Sequence, residues 1–186
     1  MVNIELSIVE QFQGGDRDAF LAVYESLSPF IYGVVYNMVR NPQDAEDLTH
    51  DLFIKIFDKR KLYKKTSSFE SWVKQVAFNH VLNVLRRRKW LGENMSKVTL
   101  FYRDQVNSED QVSGDVMVSQ CLSKLDAKYR LPLILKEMES YSYEEIAETL
   151  GLNIGTVRSR LNRAKKQFRE MLIKKGVTHE TYQKFI

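Results

Sequence analysis

The chain has 186 residues, with 28 Lys+Arg against 24 Asp+Glu for a net charge of +4, and one cysteine, Cys121. That length suits one or two small domains. One thiol cannot build an internal disulfide framework and fits a reducing compartment; no run approaches the ~20 apolar residues of a membrane span, and "MVNIELSIVEQF" lacks the features of a secretory signal, so a cytoplasmic protein without membrane insertion is expected.

The charge is unevenly distributed. Residues 1–90 carry 13 Lys/Arg and 11 Asp/Glu, residues 91–116 carry 2 and 5, and residues 117–186 carry 13 and 8. Two basic modules separated by an acidic strip point to a polyanionic partner, nucleic acid before membrane.

Almost every periodic segment reads as helix. A short helix ends at Gly14-Gly15, and Asp16 caps a segment running to about Ser26. Another covers roughly Pro29 to Arg40, after which Asn41 and Pro42 supply an N-cap and a first-turn proline for "PQDAEDLTHDLFIKIFDKR". On that helix Asp44, Asp47 and Asp51 form a stripe with Asp58 beside Ile54, while Leu48, Leu52 and Ile56 lie on a separate apolar arc. An acidic stripe on a basic chain cannot face DNA, so either it is an ordinary solvated face or it meets a basic protein partner.

A basic loop, "KLYKKTSS", follows, and Ser67 with Glu70 forms a capping box ahead of a long helix ending near Lys89. Phe69, Trp72, Val73, Val76, Ala77 and Val84 make a broad apolar face with His80 at its centre, and Gln75, Asn79, Leu82 and Arg86 line another side, with Phe78 at its margin. Tyr63, Lys64 and Lys65 in the loop, with Trp72, Asn79 and Arg86 on the helix, are the aromatics, amides and cations of a single-strand binding surface. The same aromatics also serve as core residues in a plainer reading. His50, His80, His179 and Cys121 show no metal-ligand spacing, and no cofactor is expected.

Residues 91–114 lose periodicity and read as a flexible linker. The second module, 115–186, places Cys121 beside Val118, Leu122 and Leu125 on an amphipathic helix as a buried structural thiol. Asp126 caps a helix of about Ala127–Met138, and Ser142 with Glu145 makes another capping box ahead of "YEEIAETL". Ala147 is the small residue, Gly151 the turn residue and Val157 the apolar residue that a helix-turn-helix requires at those offsets, with Asn153 capping its second helix. Ile154, Val157, Leu161, Ala164 and Phe168 share one arc of that helix; Arg158, Ser159, Asn162, Arg163 and Lys166 lie opposite, with Thr156 and Arg160 beside them. Arginine and asparagine on the open face suit base edges in a major groove.

Taken together, "DAEDLTHDLFIKIF", "FESWVKQVAFNHVLNVLRRR" and "YSYEEIAETLGLNIGTVRSRLNRAKKQFR" resemble the extracytoplasmic-function (ECF) sigma factors of bacterial RNA polymerase. The resemblance implies an all-α fold of two small helical domains. Residues 1–90 would be region 2, 91–114 the linker and 115–186 region 4 with its helix-turn-helix. It implies that Asp44, Asp47, Asp51 and Ile54 dock on the β′ clamp helices of core polymerase, and that region 4 rests on the β flap. Tyr63, Lys64, Lys65, Trp72, Asn79 and Arg86 would read and melt the −10 promoter element; Thr156, Arg158, Ser159, Arg160, Asn162, Arg163 and Lys166 would read the −35 element. An anti-sigma factor is the regulatory partner the resemblance implies, and the chain itself would not be an enzyme.

Three positions depart from the family pattern: His50 where glutamine is frequent, Phe78 where arginine is common, and Asn83 where aspartate is common. Phe78 leaves two readings, a changed base contact or packing against protein. The competing function is a helix-turn-helix regulator that binds duplex DNA without polymerase; a nuclease lacks support from any P-loop, metal-ligand motif or activated nucleophile.

Overall fold

The computed structural model describes residues 4–94 and 114–176. Among these residues every regular element is helical: α1 (Leu6–Gly14), α2 (Arg17–Val39), α3 (Pro42–Asp58), a 3₁₀ turn (Arg60–Leu62), α4 (Phe69–Asn94), α5 (Gly114–Lys124), α6 (Ala127–Glu137), α7 (Tyr143–Leu150) and α8 (Ile154–Lys174). Most of the expected linker, residues 95–113, lies outside the described residues, as do 177–186. Helix α4 continues past the expected stop near Lys89 as far as Asn94.

Local caps set most of the helix starts. The Asp16 carboxylate accepts from the Ala19 N–H at 2.8 Å, and the Asn41 side chain accepts from Asp44 N–H at 3.0 Å with Pro42 in the first turn. At α4 the cap falls one residue later than expected. Ser68, not Ser67, accepts from the Ser71 N–H at 3.1 Å, and Glu70 reaches away to take the Ile4 N–H at 2.8 Å.

Two expected segments, ending near Ser26 and starting near Pro29, form one helix, α2, with Pro29 inside it. The reason is burial. Val23, Leu27, Ile31, Val34, Val35 and Met38 form one stripe across the proline, and all are buried. The burial of six large apolar side chains, at roughly 1.5–3 kcal/mol each, outweighs an interior proline at roughly 3 kcal/mol. Helix α2 is also, among the described residues, the one helix long and apolar enough by composition to cross a membrane, which corrects the expectation that no stretch comes near. Its apolar stripe is spent on the protein interior, packed by α1, α3 and α4.

In the second module the helix-turn-helix forms as its residues dictate. Ser142 and Glu145 satisfy each other's backbone N–H groups at 3.1 and 2.7 Å. Gly151 takes φ 63°, and the Leu152 N–H returns to the Ala147 carbonyl at 2.9 Å to close the helix. Asn153 caps α8 through the Thr156 N–H at 2.7 Å. Val157, Leu161, Ala164, Phe168 and Leu172 are buried, as is Cys121, whose thiol pKa is raised by burial.

The two modules share a joint built on α4. The Lys74 ammonium donates to the Tyr141 hydroxyl at 2.9 Å and lies 4.6 Å from the centroid of the Phe30 ring, which stacks on Tyr141 at 5.9 Å. One helical turn on, Phe78 is fully buried beside Phe30. Its replacement of a family cation is therefore a packing feature. Arg130 closes the other side: its guanidinium donates to the carbonyls of Met38 at the end of α2 and of Ser123 and Leu125 at the end of α5. Burial lowers its pKa to about 10, so it remains cationic at neutral pH.

Replacing Pro29 by alanine restores a helical N–H donor at an exposed position. It is expected to stabilise the chain by about 1–3 kcal/mol, read as a raised urea midpoint with unchanged slope; an unchanged or lowered midpoint contradicts the account of α2.

Candidate nucleic-acid interface

Three surfaces emerge, one acidic and two basic. The first lies on α8. Arg158, Ser159, Asn162, Arg163 and Lys166 are exposed opposite the buried stripe, with Thr156 half-buried at the start of the helix. Ser159 turns its hydroxyl to the Thr156 carbonyl at 2.9 Å, which leaves the oxygen's acceptor side outward. Arg163 donates to the Tyr129 hydroxyl of α6 at 3.3 Å, and that bond lowers the Tyr129 pKa. Lys165 pairs with Glu137 at 2.8 Å. Neither Tyr129 nor Glu137 carries a recognisable signal in sequence, because each depends on how α6 crosses α8.

Arg160 stands apart. It lines a cleft of about 600 Å³ between the modules together with Asn79, Leu82, Arg86, Lys89, Lys128 and Leu152. Asn79 and Arg86 were expected to face single-stranded DNA and Arg160 duplex DNA. In this arrangement they face one another, across a space too small for a duplex.

The second surface is the end of the first module. Tyr63 packs its ring 5.3 Å from Phe69 and 5.5 Å from Trp72 and donates its hydroxyl to the Ser67 carbonyl at 2.8 Å. Lys64 is exposed, and Lys65, at φ 56°, pairs with Glu10 at 2.9 Å. These residues and Trp72 lie together. Asn79 and Arg86 lie one and two further double turns along α4, about 10 and 20 Å away at 1.5 Å per residue. The six therefore form a track along the helix, not a single pocket.

Beside that track runs a groove of about 440 Å³ between α3 and α4, lined by Lys55, Lys59, Gln75, Asn79, His80, Asn83 and Arg87. Its cations carry one signal in the sequence, Lys55 in the last turn of α3 and Lys59 four residues on, at its C-cap. His80 sits half-buried in this groove, not at the centre of an apolar face, and its pKa is lowered by burial first and by Lys55 second.

The third surface is on α3. Asp47 and Asp51 are exposed, and Ile54 between the carboxylates is 59% exposed. Asp44 points instead towards α4, where it pairs with Arg88 at 3.2 Å, and Gln43 donates to Asp47 at 3.1 Å. The apolar arc of α3, Leu48, Leu52 and Ile56, is buried. Among the described residues no group of three His, Cys, Asp or Glu could hold a metal ion.

Comparison with known proteins matches residues 23–91 to the family model of sigma-70 region 2 and residues 115–168 to that of sigma-70 region 4. The chain is 33% identical over 151 residues to an ECF RNA polymerase sigma factor, SigE, of Mycolicibacterium smegmatis, covering 77% of this chain and 58% of that protein. It is 28% identical over 176 residues to the ECF sigma factor SigW of Bacillus subtilis, covering 88% of this chain and 94% of that one. Its fold is similar to that of the sigma factor RpoE of Bartonella quintana, solved with the anti-sigma factor NepR: TM-score 0.63, 23% identity, 82% of this chain and 96% of the other. CnrH, solved with the cytosolic domain of CnrY, gives TM-score 0.63 at 18% identity, over 90% and 96% of the two chains.

If Arg163 reads a base edge, Arg163→Ala is expected to lose about 1–3 kcal/mol of discrimination at one position of an otherwise fixed duplex site. Binding competition across single-base variants measures it. A uniform loss over all variants, with a shallower salt dependence, identifies a phosphate contact instead.

Proposed function

The chain belongs to the sigma-70 family as an RNA polymerase sigma factor of the extracytoplasmic-function group, and from that premise we propose a division of labour among its three surfaces. Residues 1–90 act as region 2 and residues 115–186 as region 4, with 91–114 between them. The exposed face of Asp47, Asp51 and Ile54, with Asp44 at its edge, docks on the β′ clamp helices of core polymerase. The loop carrying Tyr63, Lys64 and Lys65, with Trp72, Asn79 and Arg86, captures unstacked bases of the −10 element. Helix α8 reads the −35 element in the major groove while region 4 rests on the β flap.

One observation carries this reading: an exposed basic face on α8 (Arg158, Asn162, Arg163, Lys166) and an exposed acidic face on α3 (Asp47, Asp51) stand on the same chain. The acidic face repels DNA and needs a basic protein partner. Melting requires no hydrolysis by the sigma factor. Contacts to flipped bases offset the few kcal/mol of lost stacking, and the nucleotide chemistry belongs to the polymerase. The chain therefore acts as a non-enzymatic factor in the cytoplasm, where polymerase and promoters are.

The closed arrangement sets a further requirement. Elements centred about 25 base pairs apart lie roughly 85 Å apart along a duplex, at about 34 Å per ten base pairs. Asn79 and Arg160, which line one cleft, cannot reach both elements until the modules separate. The cleft's basic rim and apolar floor also suit an acidic amphipathic segment of an anti-sigma factor, which would hold the modules closed.

The experiment is association and transcription with purified core polymerase. The chain is expected to co-elute with core and to direct run-off transcription from a promoter found by mapping transcripts after overproduction. Asp47→Lys is expected to weaken core binding by about thirtyfold or more, the equivalent of roughly 2 kcal/mol for a charge reversed against a complementary partner. Unchanged core affinity removes the acidic face from the interface, and tight duplex binding without core association favours an independent regulator.

A further inference from the structure

Helix α1 and the residues just before it precede the segment matched to region 2, which begins at residue 23, yet α1 holds the base-capturing loop at two points and Ile4 holds the start of α4 that follows it. Gln13, in the last turn of α1, donates from one side-chain amide to two loop carbonyls, Tyr63 at 3.0 Å and Arg60 at 3.3 Å. An amide nitrogen carries two hydrogens, so both bonds can form at once. They span the 3₁₀ turn, whose tip residue Leu62 is 62% exposed. Glu10 holds Lys65 at 2.9 Å, and the Ile4 N–H holds Glu70 at 2.8 Å where the loop enters α4.

The start of the loop is fixed from the same side. Gly15 follows α1 at φ 92°, and a side chain there would meet the Arg60 guanidinium at 3.1 Å. That guanidinium lies 4.3 Å from the Phe57 centroid and donates to the Phe57 carbonyl at 2.9 Å. The exposed Glu10–Lys65 pair contributes little by itself, because solvent screens it. The half-buried Gln13 staple is different: it closes on backbone, so it fixes where the Tyr63 ring and Leu62 stand whatever side chains the loop carries.

We propose that Gln13 is a positioning residue for promoter melting: its amide pre-forms the loop that receives the unstacked base. The proposal rests on the reading of this loop as the −10 surface. Ordering the loop at the moment of base capture would cost conformational entropy for each residue fixed; α1 removes that cost beforehand, as preorganisation does in any binding site.

The chemistry of the staple supplies the test. Gln13 acts only as a donor, so Gln13→Lys keeps a donor for the two carbonyls, whereas Gln13→Glu sets a carboxylate against them. Each variant is assembled with core polymerase on a promoter fragment taken upstream of a mapped transcript start. Opening is followed by permanganate reactivity of unpaired thymines, and core affinity is measured in parallel.

Gln13→Glu is expected to slow opening about tenfold, the equivalent of one net hydrogen bond, and Gln13→Lys to stay within about threefold of the unsubstituted chain. Core affinity is expected to be the same for all three. Tyr63→Ala serves as the reference for the loop itself. If Tyr63→Ala slows opening while Gln13→Glu does not, the positioning role is wrong. It is also wrong if Gln13→Lys is as slow as Gln13→Glu, or if core affinity falls by the same factor as opening. If Tyr63→Ala leaves opening unchanged, the reading of the loop fails first, and the role of Gln13 with it.

Discussion

A half-buried cation between helix ends, Arg130, holds this molecule in its shape. The Arg130 guanidinium is gripped by carbonyls at the C-terminal ends of α2 and α5, where unpaired C=O groups carry partial negative charge. One side chain thus ties the last turn of the first module's central helix to the second module's entry. On the far side of the joint, Lys74 does the same between Phe30 and Tyr141. Both groups exchange protein partners for water when the joint opens, so each hydrogen bond favours the closed state by only about 1–3 kcal/mol net, enough to hold it without locking it. Such a joint can be both specific and reversible. A wholly apolar one would expose its area to water on every opening.

Helix α4 is the member both modules use. Lys74 turns towards Tyr141 of the second module, Val73, Ala77 and Phe78 are buried in the core, and Asn79 lies on the margin between the inter-module cleft and the α3–α4 groove. Asn79 and Arg86, the residues proposed for the −10 surface, therefore line an internal cleft in this arrangement. Asp44 pairs with Arg88 and so links α3 to the basic end of α4.

What could be read in the sequence was what a few neighbouring residues decide among themselves. Asn41, Asp126, Ser142 with Glu145, and Asn153 cap the helices they were expected to cap, and Gly151 adopts the left-handed turn. The division of α8 into buried and open faces followed from its period alone. Contacts between distant segments were not legible. Pro29 looked like a boundary because its local preference is against helix, and only the burial of the α2 stripe overrides it. Phe78 stayed open between a base contact and packing against protein until Phe30 of α2 was placed beside it. Tyr129 beside Arg163, Lys55 and Lys59 beside Arg87, and Gln13 beside the loop are partners brought together by packing. The residues sit 34 apart in the first case and 50 in the last, beyond the reach of any periodicity.

The claim on which the rest turns is that Asn79 and Arg86 face Arg160 across the inter-module cleft in the free chain and that the modules part on the promoter. Energy transfer between dyes attached at the exposed positions 58 and 174 measures it directly. In the free chain, whose folded diameter is roughly 40 Å for this length, efficient transfer is expected. Bound with core polymerase to a promoter whose elements lie about 85 Å apart, the same pair is expected to show little. Equal transfer in both states, or weak transfer already in the free chain, would contradict the closed joint.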